Sequence, residues 1–219
     1  DAEYSTQLNA IVIASATPRN AVYIYNMDDS SLVNEIPLDL VPTAITVANA
    51  GQSNKIAVGH DAKVTFIDFN ESTPASTSKK ILNVPIDVYD LSATDEAVYA
   101  VPRVDQWVEL YRIDVADNSI TDSGYPSIRA ASRIKMHPDL KSVYLANRGL
   151  SPSDIEKIDI QTAPPTYVAD SPYHGDYAMC GDLWMGNSGN RIYTACGNTF
   201  RASEAQAQDM TYTGKMPLL

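Results

Sequence analysis

Short strand-like segments recur along this chain about every 45 residues, and this period constrains the fold more than any other feature of the sequence. One register begins, in steps of 45, 42, 45 and 49 residues, at Ile11, Ile56, Val98, Val143 and Ile192. A second register ends in an Asx residue, in steps of 42, 46, 45 and 50 residues, at Asn26, Asp68, Asp114, Asp159 and Asp209. Because the two registers drift together, we interpret them as successive strands of one repeating unit.

Each unit has room for four short strands, which we call A to D in chain order. The segments are bounded by Asn, Asp, Gly, Pro and Ser, and the chain holds 20 Asp against 7 Glu, as expected where turns are frequent. The one helix-compatible stretch, residues 202–208, fits the second register and is predicted to be a strand. Because a repeat of this length with four strands is typical of a β-propeller blade, the sequence predicts an all-β propeller of four-stranded antiparallel blades.

The repeats divide the chain into one propeller domain, residues 1–219, with boundaries near 1–41, 42–84, 85–128, 129–175 and 176–219. Repeat one begins at its B strand, because few residues precede Ile11, and repeat five ends with a D strand at 212–218. An A strand is therefore expected to be missing at both ends. We interpret the chain as part of a longer propeller of about seven blades. The alternative is a five-bladed ring whose first blade is short.

One hairpin carries a family resemblance. Residues 136–147, Met-His-Pro-Asp-Leu-Lys-Ser-Val-Tyr-Leu-Ala-Asn, resemble the Ser-Pro-Asp-Gly-Lys-x-Val-Tyr-Val-Ala-Asn hairpin of YVTN-type, WD40-like propeller repeats. Residues 158–162 resemble the next strand and turn of that family, whereas position 140 is Leu where the family favours Gly. The resemblance implies a propeller fold. It implies no activity, because the family includes adhesins, surface proteins, scaffolds and enzymes.

Charge and motif content exclude several function classes. The chain has 27 acidic and 16 basic residues and a net charge of −11, which disfavours binding to nucleic acid. The longest apolar run, residues 10–14, is far shorter than the roughly 20 residues that a membrane span needs, so no membrane insertion is expected. The sequence has no nucleophile elbow, no dinucleotide or phosphate-binding glycine motif and no metalloprotease or EF-hand motif. It therefore predicts no cofactor.

The two cysteines favour an oxidising compartment. Cys180 and Cys196 are predicted to lie on the A and B strands of one hairpin, whose turn is residues 186–190. Residue 188 is both their midpoint and the centre of that turn, so the two cysteines are expected to face each other and form a disulfide. The alternative is a pair of buried thiols. A disulfide predicts a secreted, periplasmic or cell-surface protein, and no metal site is expected without a Cys-x-x-Cys or His-x-His motif.

The B-to-C and D-to-A connections of a four-stranded meander emerge on one face, where five of the eight arginines are predicted to lie. The ligand-binding candidates on this face are Arg19, His60, Arg103, Trp107, Arg148, Tyr173, His174 and Arg201. Arginine forks beside aromatic rings suit carboxylate, sulfate or phosphate groups of a glycan or peptide. In the alternative interpretation, each arginine pairs with an aspartate on the same face, such as Asp61 or Asp154.

These observations favour a secreted or cell-surface recognition or adhesion module that binds a glycan or protein partner, with room for further domains in a longer parent chain. An enzyme is the first alternative: a lyase acting on an acidic polysaccharide, in which an arginine neutralises the uronate and His174 or Tyr173 removes the proton. A second alternative is a scaffold that binds a protein through the exposed edge of an incomplete blade.

Overall fold

The computed structural model describes residues 1–148, 150–151 and 153–217. Strands dominate these ranges, and the helical elements assigned among them are three single 3₁₀ turns, Asn49–Gly51, Pro74–Ser76 and Gln206–Gln208. The prediction of an all-β fold built from antiparallel meanders is therefore confirmed. The chain divides into two compact units. Unit 1 comprises Asp1–Arg103 with Tyr111–Ile120, and unit 2 comprises residues 104–110 and those from 121 onward.

The first repeat is a four-stranded meander in unit 1. Its strands, paired in chain order, are β1 (Ala2–Ser5), β2 (Ala10–Ser15), β3 (Ala21–Asn26) and β4 (Leu32–Pro37). Strand β1 supplies an A strand, so the prediction that repeat one lacks one is wrong. The segment Ala-Glu-Tyr-Ser has no apolar run that would mark it as a strand, and it forms by pairing with the edge of β2.

The second and third repeats share one six-stranded sheet. The strands from residue 44 to 122 are β5 (Ala44–Val47), β6 (Lys55–Asp68), β7 (Ser78–Ala93), β8 (Ala97–Pro102), β9 (Trp107–Val108), β10 (Tyr111–Asp114) and β11 (Ile120–Asp122). The sheet order is β11-β10-β8-β7-β6-β5. Strand β7 pairs with β6 through its first half and with β8 through its second half, so it is the outer strand of one repeat and the first strand of the next.

Strand β6 folds back on itself and so provides two strands of the second repeat. The Phe69 N–H donates to the Asn54 carbonyl at 3.2 Å, which closes the hairpin at its base. The turn lies at Asp61 and Ala62, and Ala62 has a left-handed φ of 56°. The ladder with β7 shifts register at this point, between Asp61 and Lys63.

Unit 2 contains two further four-stranded meanders. The strands from residue 128 onward are β12 (Ile128–Arg129), β13 (Arg133–Met136), β14 (Ser142–Ala146), β15 (Ile155–Asp159), β16 (Thr166–Asp170), β17 (Leu183–Met185), β18 (Arg191–Thr194), β19 (Asn198–Arg201) and β20 (Tyr212–Lys215). The fourth repeat is β13 to β16 and the fifth is β17 to β20, each paired in chain order. The short strands β9 and β12 form a separate two-stranded ladder in the same unit.

The core lies between neighbouring meanders within each unit. Inner strands are buried on both faces, as every residue of β8 and β14 shows, whereas the D strand β16 alternates between exposed and partly buried positions. In unit 1, Val12 and Ile24 of the first repeat share one cluster with Ile56 of the second. In unit 2, Ile155 and Phe200 join the fourth and fifth repeats.

The fifth repeat departs from the predicted register. Residues 202–208 are not a strand: β19 ends at Arg201, and a 3₁₀ turn covers Gln206–Gln208. Asp209, predicted to end a C strand, is buried and accepts hydrogen bonds from the Tyr144 hydroxyl at 2.9 Å and the Lys157 ammonium at 2.7 Å. Its place in the sequence register therefore reflects a buried ion pair, not a strand end. The predicted D strand ends at Lys215, and residue 218 lies outside the described residues.

The Cys180–Cys196 disulfide is present, with the two Cα atoms 5.4 Å apart. The prediction that the cysteines lie on the A and B strands is wrong, because Cys180 precedes β17 by three residues and Cys196 follows β18 by two. Leu183 pairs with Thr194, so the hairpin is centred half a residue beyond position 188 and the cysteines are not directly opposite. Cys180 adopts a left-handed φ of 60° outside the ladder. The bridge therefore closes the open end of the hairpin.

Leu140 occupies the turn position at which the YVTN-type hairpin carries glycine. Its φ is 63°, in the left-handed region that glycine adopts without a steric penalty. The Leu140 N–H donates to the His137 carbonyl at 2.9 Å, which closes the turn between β13 and β14. The departure from the family pattern therefore keeps the turn and adds backbone strain.

The disulfide makes a testable contribution to stability. The bridged residues are 16 positions apart, and closing a loop of this size in the unfolded chain stabilises a protein by about 3 kcal/mol. We expect the double substitution Cys180→Ala with Cys196→Ala to lower the free energy of unfolding by roughly that amount in urea titrations. Wild-type protein in reductant is the control and should behave in the same way. Equal stability of the oxidised and reduced forms would contradict the prediction.

The left-handed φ of Leu140 predicts that glycine is more stable than alanine at this position, the reverse of the usual order. Alanine is normally the more stable replacement, but at a left-handed φ glycine avoids a penalty of about 1 kcal/mol. We expect Leu140→Gly to unfold at a higher urea concentration than Leu140→Ala, and both variants lose the same half-buried side chain. If the alanine variant is the more stable, the turn does not hold position 140 in the left-handed region.

Candidate functional site

Two of the predicted ligand-binding arginines in unit 1 form ion pairs. Arg19, between β2 and β3, pairs with Glu35 on the exposed surface. Arg103 lies 2.8 Å from the Asp61 carboxylate and donates a second hydrogen bond to the Val88 carbonyl at 3.0 Å. These contacts agree with the interpretation in which the arginines balance local acidic residues.

His60 is a buried residue of the fold. Its side chain is 1% exposed, and both ring nitrogens have partners at 2.9 Å. Nδ1 must donate to the Val41 carbonyl, which can only accept, so Nε2 accepts from the Thr65 hydroxyl. Burial lowers the pKa of His60, against the smaller opposing effects of the Val41 carbonyl and the Asp61 charge. The ring is therefore held neutral.

Three of the predicted ligand-binding residues in unit 2 contact neighbouring parts of the fold. Arg201 is the last residue of β19 and pairs with Arg191, so it lies at the opposite end of its hairpin from the B-to-C turn, and its predicted position in that turn is wrong. The side chain of Arg148 passes so close to Gly181, which has a φ of 68°, that a Cβ at position 181 would lie 2.3 Å from Arg148 Cγ. The Tyr173 hydroxyl accepts from the Tyr212 N–H at 3.0 Å.

Tyr173 also belongs to an aromatic cluster that anchors the connection after β16. Its ring meets Tyr177 edge-on at 4.7 Å, and Tyr177 stacks on Tyr212 with centroids 3.9 Å apart. Phe200, fully buried, contacts the same rings. This cluster fixes the start of the connection that carries His174.

Trp107 and His174 are the predicted residues that line one pocket in unit 2. The pocket has a volume of about 330 Å³ and lies where the B-to-C connection of the fourth repeat meets the connection after β16. The residues that line it are Trp107, Ser127, Asn147, Leu150, Ser151, Asp154, Glu156, Tyr167, Asp170 and His174. Its ionisable lining is acidic apart from His174, and no arginine is among the described lining residues. We call this cavity the acidic pocket.

Asp154 is the most firmly positioned carboxylate of the acidic pocket. Its Oδ1 accepts from the Ser171 hydroxyl at 2.5 Å and from the backbone N–H groups of Ile155 and Ser171 at 2.8 and 3.2 Å. Its Oδ2 lies 3.6 Å from His174 Nδ1. The hydrogen bonds to Oδ1 therefore leave Oδ2 directed toward His174.

Glu156 and Asn147 bring unsatisfied polar groups to the acidic pocket. Glu156 is 4% exposed and Asn147 is 1% exposed. Glu156 Oε2 and both side-chain polar atoms of Asn147 make no well-formed hydrogen bond within the described part of the chain, although the Asn147 side chain lies near enough to Glu156 to oppose the rise of its pKa. Glu156 also lies directly opposite Asp170 in the β15–β16 ladder, an arrangement of like charges that disfavours folding. A fold tolerates such groups where a ligand can satisfy them.

Burial and neighbouring carboxylates both perturb the titratable groups of the pocket. Burial, with the charge of Asp154, raises the pKa of Glu156 to about 8. Burial also raises the pKa of Asp154, to which the Asp170 charge adds. Burial together with the carboxylates of Asp170, Glu156 and Asp154 raises the pKa of Tyr167 to about 12. The pocket is therefore suited to a ligand that is cationic or rich in hydrogen-bond donors.

Four residues of the acidic pocket were not predicted from the sequence, namely Asn147, Glu156, Tyr167 and Asp170. A usable signal was present, because Asn147 follows β14, Asp154 precedes β15 and Asp170 ends β16, all at the B-to-C end of one repeat. Asp154 had been considered only as a partner for an arginine. Glu156 has no comparable signal, because it occupies a strand position between buried apolar residues.

Trp184, in contrast, lies outside the pocket. Its place in the sequence, within the Cys180 hairpin, suits core packing, but its side chain is 49% exposed. Trp107 has the same exposure and lies on β9, where it pairs with Arg129. The two tryptophans therefore provide a matched pair, of which one lines the acidic pocket.

Comparisons with known proteins identify the fold. No protein-family model and no curated protein matches the sequence. Among solved structures, the chain is similar to hydrazine synthase from Kuenenia stuttgartiensis, with a TM-score of 0.67, 15% identity and 92% of this chain covered. It is similar to a β-propeller domain from Myceliophteria thermophila (TM-score 0.66, 12% identity, 98% covered). A functionally unknown protein from Desulfotomaculum acetoxidans also matches (TM-score 0.67, 9% identity, 98% covered).

These similarities show a β-propeller fold, a fold that supports recognition and binding in general. The chain spans 62% of the length of the hydrazine synthase chain and 70% of each of the other two. Among the residues that the structure describes, no helix has the length and apolar character needed to cross a membrane. Membership of the YVTN-type family, which rests on the resemblance of one hairpin, stays a prediction.

The neutral state of His60 predicts a pH dependence of stability. Because its pKa is lower in the folded than in the unfolded state, where it is about 6.5, the stability due to neutral His60 is present above that pH and is lost as the pH falls. We expect His60→Asn, which keeps a donor near the Nδ1 position, to lose about 1–2 kcal/mol at pH 7.5. The difference from wild type should narrow at pH 5.5 in urea titrations. An equal difference at both pH values would show that His60 is not held neutral.

Proposed function

We propose that this chain is a recognition module, secreted or on the cell surface, that binds a glycan in the acidic pocket of unit 2. The single observation that carries the proposal is the pairing of a half-exposed aromatic face with buried, unsatisfied hydrogen-bonding groups in one cavity. Sugar rings present an apolar C–H face and several hydroxyl donors. Trp107 and Tyr167 offer surfaces for the first, and Asp154, Asp170 and Asn147 offer acceptors for the second.

The charge of the pocket distinguishes between classes of glycan. The sequence analysis favoured acidic glycans because of the arginines, but Arg19 and Arg103 are engaged with Glu35 and Asp61. A uronate or sulfate would meet the like charges of Asp154 and Asp170. A neutral sugar is therefore the better ligand for this pocket. The Cys180–Cys196 disulfide supports an oxidising compartment.

The lyase alternative gains no support from these surroundings. Its candidate base Tyr173 uses its hydroxyl oxygen to accept from the Tyr212 N–H and is packed in the aromatic cluster. His174, the other candidate base, faces carboxylates in the acidic pocket. The scaffold alternative depends on blades that lack an A strand. The first repeat does not lack one, because β1 supplies it.

A glycan panel tests the proposal. Thermal melts of the wild-type chain are recorded with neutral and with uronate-containing oligosaccharides, and a ligand at 100 times its Kd stabilises by about 2.7 kcal/mol. We expect neutral sugars to raise the Tm and Trp107→Ala to abolish the shift, because the stacking face is lost. Trp184→Ala, with the same exposure but outside the pocket, should retain the shift. A Tm shift with acidic glycans alone, or one that survives Trp107→Ala, would contradict the proposal.

A further inference from the structure

We propose that Asp154, Asp170 and His174 bind a divalent metal ion of the zinc and manganese class in the acidic pocket. Each side chain offers one ligand atom, and the three atoms all lie within 4.8 Å of one another. Neighbouring ligands on a tetrahedral ion with bonds of about 2.0–2.1 Å are about 3.3 Å apart. The 3.6 Å between Asp154 Oδ2 and His174 Nδ1 is close to that spacing. Small rotamer changes of the exposed Asp170 and His174 side chains complete the set.

Asp154 has the outer contacts of a metal ligand. The Ser171 hydroxyl and the Ile155 N–H occupy Oδ1, so Oδ2 is the oxygen presented to the ion. Metal-ligating carboxylates are held in this way by hydrogen bonds from a surrounding shell. The groups that hold Asp154 come from two segments, because Ile155 begins β15 and Ser171 directly follows β16.

The unsatisfied groups at the back of the pocket provide an independent observation. Glu156 and Asn147 are more than nine-tenths buried and line the same cavity. Among the described residues, Glu156 Oε2 and the Asn147 amide atoms make no well-formed hydrogen bond, even with each other. Water molecules on a bound ion are strong hydrogen-bond donors. They can donate to Glu156 Oε2 and Asn147 Oδ1, which are otherwise buried at an energetic penalty. A carboxylate cluster formed only by surface crowding would not need such acceptors behind it.

The ligand types select the class of ion. Calcium and magnesium favour sites built wholly from oxygen, whereas imidazole with carboxylates suits zinc and manganese. No metal-binding motif is visible in the sequence, because Asp154 immediately precedes β15, Asp170 ends β16 and His174 lies in the following connection. They are separated by 16 residues between Asp154 and Asp170 and by four between Asp170 and His174.

The ion also deepens the glycan proposal, and this step rests on the proposed function. A metal held by three protein ligands keeps open positions for the hydroxyl groups of a sugar. It also neutralises the charge of Asp154 and Asp170. Trp107, on the wall of the same pocket, would then contact the ring whose hydroxyls the ion binds.

Calorimetric titration of the chelator-treated chain, without sugar, tests the metal site. We expect Zn²⁺ and Mn²⁺ to bind saturably at one site, and at least tenfold more tightly than Ca²⁺. Asp170→Asn and His174→Gln should each weaken binding at least tenfold. Asp176→Asn, an exposed carboxylate in the same connection, removes the same charge and should leave the affinity unchanged. No saturable binding, tighter binding of Ca²⁺, or equal binding by the ligand variants would overturn the proposal.

Histidine NMR locates the ion directly, because the chain has only three histidines. At low occupancy, paramagnetic Mn²⁺ should broaden the imidazole signals of its ligand His174 much more than those of His137, whose Nε2 contacts the Gly189 carbonyl at 2.6 Å. Equal broadening of both would overturn the assignment.

Sugar binding is then measured with Zn²⁺ and with chelator. Metal binding without sugar binding would refute the glycan function alone, and sugar binding unchanged by chelator would refute the link between ion and sugar.

Discussion

The burial of inner strands on both faces is the constraint on which the rest of the structure depends. A four-stranded meander is too thin to bury its own apolar side chains, so β8 and β14 are covered from both sides by neighbouring elements. Polar groups close to these strands must therefore find their partners inside the protein. His60 bonds to Val41 and Thr65, and Asp209 bonds to Tyr144 and Lys157.

The acidic pocket departs from this rule at a buried carboxylate. Glu156 is as deeply buried as Asp209, yet one of its carboxylate oxygens has no partner among the described residues. The difference is a matter of surroundings, because Lys157 neutralises Asp209 whereas Asp154 and Asp170 surround Glu156 with like charge. The fold therefore pairs one buried carboxylate with a cation and surrounds the other with acidic groups.

The sequence predicted the strands that are buried on both faces, because these read as short apolar runs between turn residues. The prediction failed at β1, whose sequence has no apolar run and which is a strand only because it pairs with β2. It also failed at Asp209, which was predicted to end a strand but is a buried residue bonded to Tyr144 and Lys157. For the site, loop position identified Trp107 and His174. The carboxylates were missed because sequence does not show whether an aspartate faces an arginine or another acid, and only the fold places Glu156 opposite Asp170.

The continuous strand β7 bears on how unit 1 opens. Repeats in such folds usually behave as nearly independent modules coupled through their interfaces. Here one backbone segment, Ser78–Ala93, belongs to the ladders of two successive repeats. Opening of either repeat therefore breaks hydrogen bonds of β7, the strand that also pairs within the other repeat. We therefore expect the second and third repeats to exchange as one cooperative unit, in which the amide protons between Lys63 and Val101 become accessible through a common opening.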